Sequence, residues 1–206
     1  MISKEAIKRG YNRGNYTVGA HTRPAWATDI TRSGGAKGMQ VDPVAISEAT
    51  FDRLRVIADE VLTSEADVIS WTRDWWAGSM IAETQGAPAT SKGVIVRVST
   101  VEQIQDVIRL ASESAIPVTV SAGRSNVTGA ALPLRGGIVL DVCELNKFID
   151  FDPQSQIVEV EAGMFGDVFE QTIQKEYGMT MGHWPSSFGI STVGGCCLLY
   201  TSDAAD

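Results

Sequence analysis

Among 206 residues there are only 3 cysteines and 2 histidines. Cys143, Cys196 and Cys197 make an odd count with no CxxC pair, so neither a disulfide framework nor a zinc cage is supported. No apolar run approaches the ~18 residues that a membrane helix needs, and the amino-terminal stretch lacks the apolar centre of a secretory signal. A cytoplasmic protein with no membrane span is the expectation. Also missing are the Gly-Lys-Ser/Thr ending of a P-loop and the GxGxxG of a Rossmann turn. Positive charge is in deficit, 17 Lys+Arg against 25 Asp+Glu for a net charge of −8, which argues against a nucleic-acid partner because phosphate contacts dominate such binding. What is there, 44% hydrophobic and 20% charged residues, is ordinary for a globular chain of one large or two small domains.

The scarce basic residues gather at the start. Lys4, Lys8, Arg9, Arg13, Arg23, Arg32 and Lys37 face only Glu5 and Asp29, so residues 1–40 carry +5 and the other 166 carry −13. They are scattered among glycines, without the tight clustering of a nucleic-acid arm and without an apolar period that would bury a helix face. Residues 1–41 are therefore expected to form a disordered basic extension.

From Asp42-Pro43 onward the pattern changes. Phe51, Leu54, Ile57, Ala58 and Val61 recur at helical spacing behind a capping Ser47, opening a helical entry segment over 42–90. Within it, Trp75 and Trp76 sit beside Arg73 and Asp74; packing against a neighbouring layer is favoured for them over ligand stacking, and Gln85 to Pro88 reads as a turn. Over 91–195, Val94 to Val98 reads as a β-branched strand. Ser99 to Glu102 reads as a capping box, opening a helix with Val101, Ile104, Val107, Ile108 and Ala111 on its buried stripe. Pro117 to Val120, Gly137 to Asp141 and Ile157 to Glu161 read as further strands. Gly166 to Tyr177 reads as a second helix, with Phe165, Val168, Phe169, Thr172 and Ile173 on one face. Such alternation predicts an α+β (α/β-like) fold with at least one crossover unit.

Two loops of small residues and hydroxyls interrupt these elements. Ser121-Ala122-Gly123-Arg124-Ser125-Asn126-Val127-Thr128, running on to Ala131, lets a backbone approach a ligand closely and can present successive N–H groups to a phosphate or pyrophosphate. An ordinary glycine-containing connection fits the same composition. The second loop, Met181 to Gly195, contains Pro185, Ser186, Ser187, Ser191, Thr192 and Gly195, and its hydroxyls and N–H groups suit another part of one extended ligand. His183 invites a catalytic reading because histidine as a residue type exchanges protons near neutral pH, whereas its neighbour Trp184 favours a packed, hydrogen-bonded one.

Several ordered motifs carry a resemblance. They are Val96 to Ile104, Ile116 to Ala130 (Ile-Pro-Val-Thr-Val-Ser-Ala-Gly-Arg-Ser-Asn-Val-Thr-Gly-Ala), Gly136 to Asp141, Val160 to Gly163, Gly182 to Ser187 (Gly-His-Trp-Pro-Ser-Ser) and Ser191 to Gly195 (Ser-Thr-Val-Gly-Gly). Together they resemble the FAD-binding (PCMH-type) domain of the vanillyl-alcohol oxidase and p-cresol methylhydroxylase superfamily, on the branch similar to alkyldihydroxyacetonephosphate synthase. Asp74-Trp75-Trp76 also looks like the entry segment of bacterial members. The resemblance implies FAD, with the loop at Ser121–Thr128 around its pyrophosphate and Pro185, Ser186, Ser187, Ser191, Thr192 and Gly195 towards the flavin. Some relatives tether FAD through a histidine in the first loop; Arg124 stands there, so non-covalent FAD is implied. Gly163 is expected to relieve backbone strain.

The function implied is the FAD-binding portion of a flavin-dependent oxidoreductase acting on a hydroxy acid or alcohol, or of a synthase-like flavoenzyme that exchanges an acyl for an alkyl group. The alternative is a truncated, inactive FAD-binding fragment. A small-molecule substrate is implied, a homo-oligomer stays open, and no residue is singled out as catalytic. Residues 197–206, Cys-Leu-Leu-Tyr-Thr-Ser-Asp-Ala-Ala-Asp, match the translation of a transposase-type sequencing adapter. A Trp codon cut after TG and followed by the C before that adapter reads as Cys196, so 196–206 is expected to be a non-native tail.

Overall fold

The computed structural model describes residues 42–72, 74–84 and 93–196. The basic extension at 1–41, Arg73, the turn at Gln85–Pro88 and the tail from 197 onward lie outside the described residues.

The centre of the fold is a sheet in which β2 (Val94–Arg97) and β3 (Val118–Ser121) each pair in parallel with β4 (Ile138–Asp141), which lies between them. The crossover from β2 to β3 runs through helix α4 (Val101–Glu113). Every residue of β4 is buried, as is Val94-Ile95-Val96 of β2, and an unbroken apolar run is what a strand covered on both faces needs. Helices α1 (Glu48–Ile57) and α4 close the core, with Leu54, Val107 and Leu110 against Val94, Val96, Ile138 and Leu140.

Ser47 caps α1 as expected, accepting from the Thr50 N–H at 3.2 Å. The helix nevertheless stops at Ile57. Ala58 is extended, and Val61, expected on the helical face, lies in β1 (Glu60–Leu62), an antiparallel edge strand whose Glu60 pairs with Arg97 of β2. The capping box of α4 sits one residue later than expected. Thr100 accepts from Gln103 N–H at 3.2 Å, and the Gln103 side chain accepts from Thr100 N–H at 3.1 Å while also donating to Asp59. Val101 and Ile108, expected in the buried stripe, are 52% and 44% exposed. Leu110 joins Val107 and Ala111 in the core and turns the apolar face so that Val101 and Ile108 fall roughly 100° off its centre.

Beyond the sheet, β5 (Phe148–Asp152) and β6 (Ile157–Val160) form an antiparallel hairpin, of which only β6 was expected. Phe148, Val158 and Val160 pack on Met164 and on Phe169 and Ile173 of helix α5 (Gly166–Tyr177). Gly163 is needed for a different reason than strain: a Cβ there would lie 2.2 Å from the Val142 carbonyl oxygen and 2.7 Å from that of Leu145. Helices α2 (Glu65–Thr72) and α3 (Ala77–Thr84) lie between β1 and β2 in the chain, and a short turn of helix, α6 (Val193–Cys196), ends the described chain. The architecture is α+β, as expected. Among the described residues no helix is long and apolar enough to cross a membrane, and no group of His, Cys, Asp and Glu is placed to hold a metal ion.

Candidate functional site

At the carboxyl end of β3 the chain turns into the first loop. Arg124 adopts φ 55, uncommon for a residue with a side chain, and this turns its guanidinium inward until the residue is only 5% exposed. There it lies 5.2 Å from the ring centroid of Trp71 and donates to the Ala122 carbonyl at 3.4 Å. Trp71, on α2, also has the Arg97 guanidinium over its ring at 5.8 Å. Its Nε1–H donates at 2.8 Å to Oδ2 of Asp141, a carboxylate with no solvent exposure at the end of β4. Asp141 Oδ1 accepts from Cys143 N–H, and Arg97 reaches Oδ2 at 3.6 Å. The floor beneath the loop is thus a stack of Arg124, Trp71 and Arg97 anchored on one buried acid.

The outer half of the loop is braced by the entry segment. Trp75 N–H donates to the Asn126 carbonyl at 2.9 Å, and the Asn126 side chain accepts from Thr128 N–H and Ala130 N–H, closing a tight turn. The Trp76 ring covers Gly129, where a Cβ would come within 3.2 Å of it. Asp74, 3% exposed, accepts from Trp76 N–H and the Ser79 hydroxyl. Burial raises its carboxyl above the ordinary aspartate range, against the pull of hydrogen bonds from Trp76, Ser79 and Gly129. Packing, the favoured reading of the two tryptophans, describes what Trp76 does.

The second loop is clipped onto the segment before α5. Gly166 N–H donates to the Ser191 carbonyl, Val193 N–H to Met164 and Gly194 N–H to Ala162, with Phe165 and Thr192 paired as an antiparallel bridge. Ser191 and Thr192 are buried as a result. This docking brings the second loop onto the first. A Cβ on Gly123 would lie 2.2 Å from the Ile190 carbonyl oxygen, so only glycine permits that approach. The Ser191 hydroxyl donates to Ser125 at 2.8 Å across the junction, and Ser187 and Ser191 hydroxyls are 2.7 Å apart.

Between the loops lies an open groove of about 730 Å³. Twelve of the fourteen sequence-predicted residues border it: Ser121, Ala122, Gly123, Arg124, Ser125, Asn126, Val127, Thr128, Ser187, Ser191, Thr192 and Gly195. Pro185 and Ser186 do not, and neither does His183, which precedes an exposed Trp184 whose ring meets that of Phe188 in a tilted contact at 4.9 Å. The sequence reading missed the wall made by the edge strand β3, Val118 to Val120, together with Val142 and Ala162. Among the described residues the lining holds one cation, Arg124, and no carboxylate. Ser121 Oγ and Arg124 Nε are buried with no hydrogen-bond partner among the described residues. Buried polar groups without partners are costly unless a ligand supplies them, and a guanidinium N–H takes only an acceptor, so the groove suits an anionic, oxygen-rich group such as a phosphate ester.

Comparison with known proteins agrees with this chemistry. A family model described as FAD binding domain matches residues 93–199. A D-2-hydroxyglutarate dehydrogenase from Xanthomonas citri pv. viticola is 32% identical over 105 residues, which is 50% of this chain and 20% of that protein. Among solved structures, an alkyldihydroxyacetonephosphate synthase matches with a TM-score of 0.67 at 24% identity, over 75% of this chain and 32% of that one. A p-cresol methylhydroxylase with substrate bound matches with a TM-score of 0.58 at 23% identity, over 73% and 30%. The chain thus spans between a fifth and a third of the length of these relatives.

Proposed function

This chain belongs to the FAD binding domain family, and from that premise we propose that its two loops are the cofactor cradle of a flavin-dependent oxidoreductase acting on a hydroxy acid or alcohol. The observation that carries the reading is the junction at Gly123, which joins two donor-rich loops into a single groove. The cofactor of the domain is FAD. The first loop, Ser121 to Thr128, holds the phosphates: its hydroxyls and turn N–H groups donate, and Arg124 supplies a fixed positive charge beneath them. The second loop, through Ser187, Ser191, Thr192 and Gly195, closes the other side. Pro185 and Ser186 shape its approach from outside the groove.

When bound, FAD supplies the redox chemistry at its isoalloxazine ring. The residues of this chain bind and orient it and hold positive charge near its anionic part. A guanidinium at position 124 offers donors and no ring nitrogen for a covalent tether, so the cofactor is held non-covalently. Among the described residues that line the groove there is no carboxylate or histidine to serve as general acid or base. We read these 206 residues as the cofactor-holding portion, with substrate turnover requiring the further length that its relatives possess. A synthase-like exchange of an acyl for an alkyl group is the second reading, favoured by the match to the synthase structure over 75% of the chain.

The test is flavin content. The purified chain, reconstituted with FAD and desalted, is expected to show flavin absorbance that acid precipitation releases into the supernatant. A colourless protein that cannot be reconstituted overturns the reading, and flavin that stays with the acid pellet overturns non-covalent attachment.

A further inference from the structure

Three hydroxyls join the loops, and the count of their protons gives the junction a direction. Ser191 donates to Ser125 at 2.8 Å, and the Ser187 and Ser191 oxygens are 2.7 Å apart. A serine hydroxyl has one proton to give. That of Ser191 is committed to Ser125, so the remaining bond must run from Ser187 to Ser191. Each oxygen in the row accepts from the one before it and donates to the one after. The Ser125 proton is the one left over, and Ser125 borders the groove. It cannot turn back to Ser191, whose own proton already occupies that line.

We propose that Ser187, acting through Ser191, fixes Ser125 as an obligate hydrogen-bond donor to an acceptor oxygen of the ligand. Ser187 and Ser191 are positioning residues on this view, and Ser125 is the contact. The proposal rests on the FAD reading of the groove and goes further, because it states which way one contact must point. Arg124 Nε, buried without a partner among the described residues, is a donor of the same polarity, and the Ser121 hydroxyl, likewise without a partner, is able to donate beside it. A ligand presenting an N–H at the Ser125 position would meet a proton instead of a lone pair and be rejected, since a mismatched buried polar pair loses its bond and keeps its desolvation cost. The row is also cooperative: an oxygen that accepts a hydrogen bond becomes a stronger donor.

The proposal is tested by fluorescence titration of FAD into the 206-residue chain and its variants. Ser125→Ala is expected to weaken binding roughly tenfold, as for loss of one hydrogen bond to a charged group. Ser187→Ala is expected to weaken it about threefold by freeing the Ser191 rotor, while Ser187→Thr, which keeps the hydroxyl, stays near wild type. Ser187→Cys, of similar size but a weak donor, is expected to behave as the alanine variant does. In the Ser125→Ala background, Ser187→Ala is expected to have no further effect. A threefold loss that persists in that background means that Ser187 acts by direct contact or through loop shape, and overturns the proposal. FAD binding indifferent to Ser187→Ala overturns it as well, leaving the cradle intact. A wild-type chain that fails to bind FAD overturns the cradle itself and the assignment of this contact with it.

Discussion

Replacing Gly123 by alanine adds one methyl group at the place where the two loops touch. Its Cβ would lie 2.2 Å from the Ile190 carbonyl oxygen and 3.2 Å from the Thr192 nitrogen, and ordinary contact begins near 3.4 Å. Both neighbours are backbone, so no rotamer change relieves the clash, and the loops must separate by about 1.2 Å. A 2.8 Å hydrogen bond between Ser191 and Ser125 does not survive that separation. Overpacking of this kind costs about 1–3 kcal/mol, and a lost hydrogen bond adds about 0.5–1.5 kcal/mol. A total near 3 kcal/mol corresponds to a Tm fall of roughly 6–12 °C for a domain of this size. The control is Gly195→Ala, also in the second loop, where the nearest atom to the new Cβ is Thr192 Oγ1 at 3.8 Å. Its Tm is expected to stay within about 2 °C of wild type or to rise slightly. Melting curves of the three proteins, followed by circular dichroism, decide the matter. Equal Tm values for Gly123→Ala and Gly195→Ala would refute the claim that close backbone approach joins the loops.

Two buried acids should shape the acid limb of stability in opposite senses. Burial pushes Glu170 up, but hydrogen bonds from Thr180, Met181 N–H and Gln174 together hold its carboxyl below the ordinary glutamate range. Its contribution is therefore present above the unfolded-chain pKa and lost as pH falls through the folded one, and Glu170→Gln is expected to flatten the fall in Tm on the acid side of pH 5 while costing about 1–3 kcal/mol at pH 7. Asp74 is raised by burial, so its contribution is complete below the ordinary aspartate pKa and lost as pH rises through the raised one; Asp74→Asn is expected to remove that loss in Tm measured at pH 4 against pH 7. Trp71→Phe removes the Nε1–H donor from fully buried Asp141 and is expected to cost about 1.5–3 kcal/mol in urea unfolding. Arg124→Ala removes the only cation that lines the groove among the described residues and is expected to weaken FAD binding about 10- to 100-fold, with titration by fluorescence as the check.

Much of the scaffold was legible because its signals are local. The β-branched run at Val94, the Ser47 cap and the helix from Gly166 to Tyr177 each follow from neighbours in sequence. The elements that escaped are those decided by partners far away. β1 is three residues long and exists because β2 offers it an edge and Glu60 meets Arg97, whereas a helical period through Val61 is just as visible in the letters. β5 reads Phe-Ile-Asp-Phe-Asp, too acidic to announce a strand, and is held by Phe148 and Phe151 against Tyr177. At the site, small residues betrayed both loops, and the structure sets twelve of the fourteen named residues around one groove. The foundation under Arg124 was not legible: Trp71 and Asp141 are 70 residues apart in the chain, and no spacing rule links them.

The hydroxyl contact between Ser125 and Ser191 closes a span of 66 residues, and this has a kinetic consequence. Local helices and the hairpin form without that closure, whereas the groove requires β3, β4 and α5 to be docked first. Groove assembly is therefore expected on the late side of the folding barrier, with low φ values at Ser125 and Ser191 as the check. A ligand bound there should leave the refolding rate almost untouched and slow unfolding instead, so it lengthens the lifetime of the folded chain more than it speeds its formation.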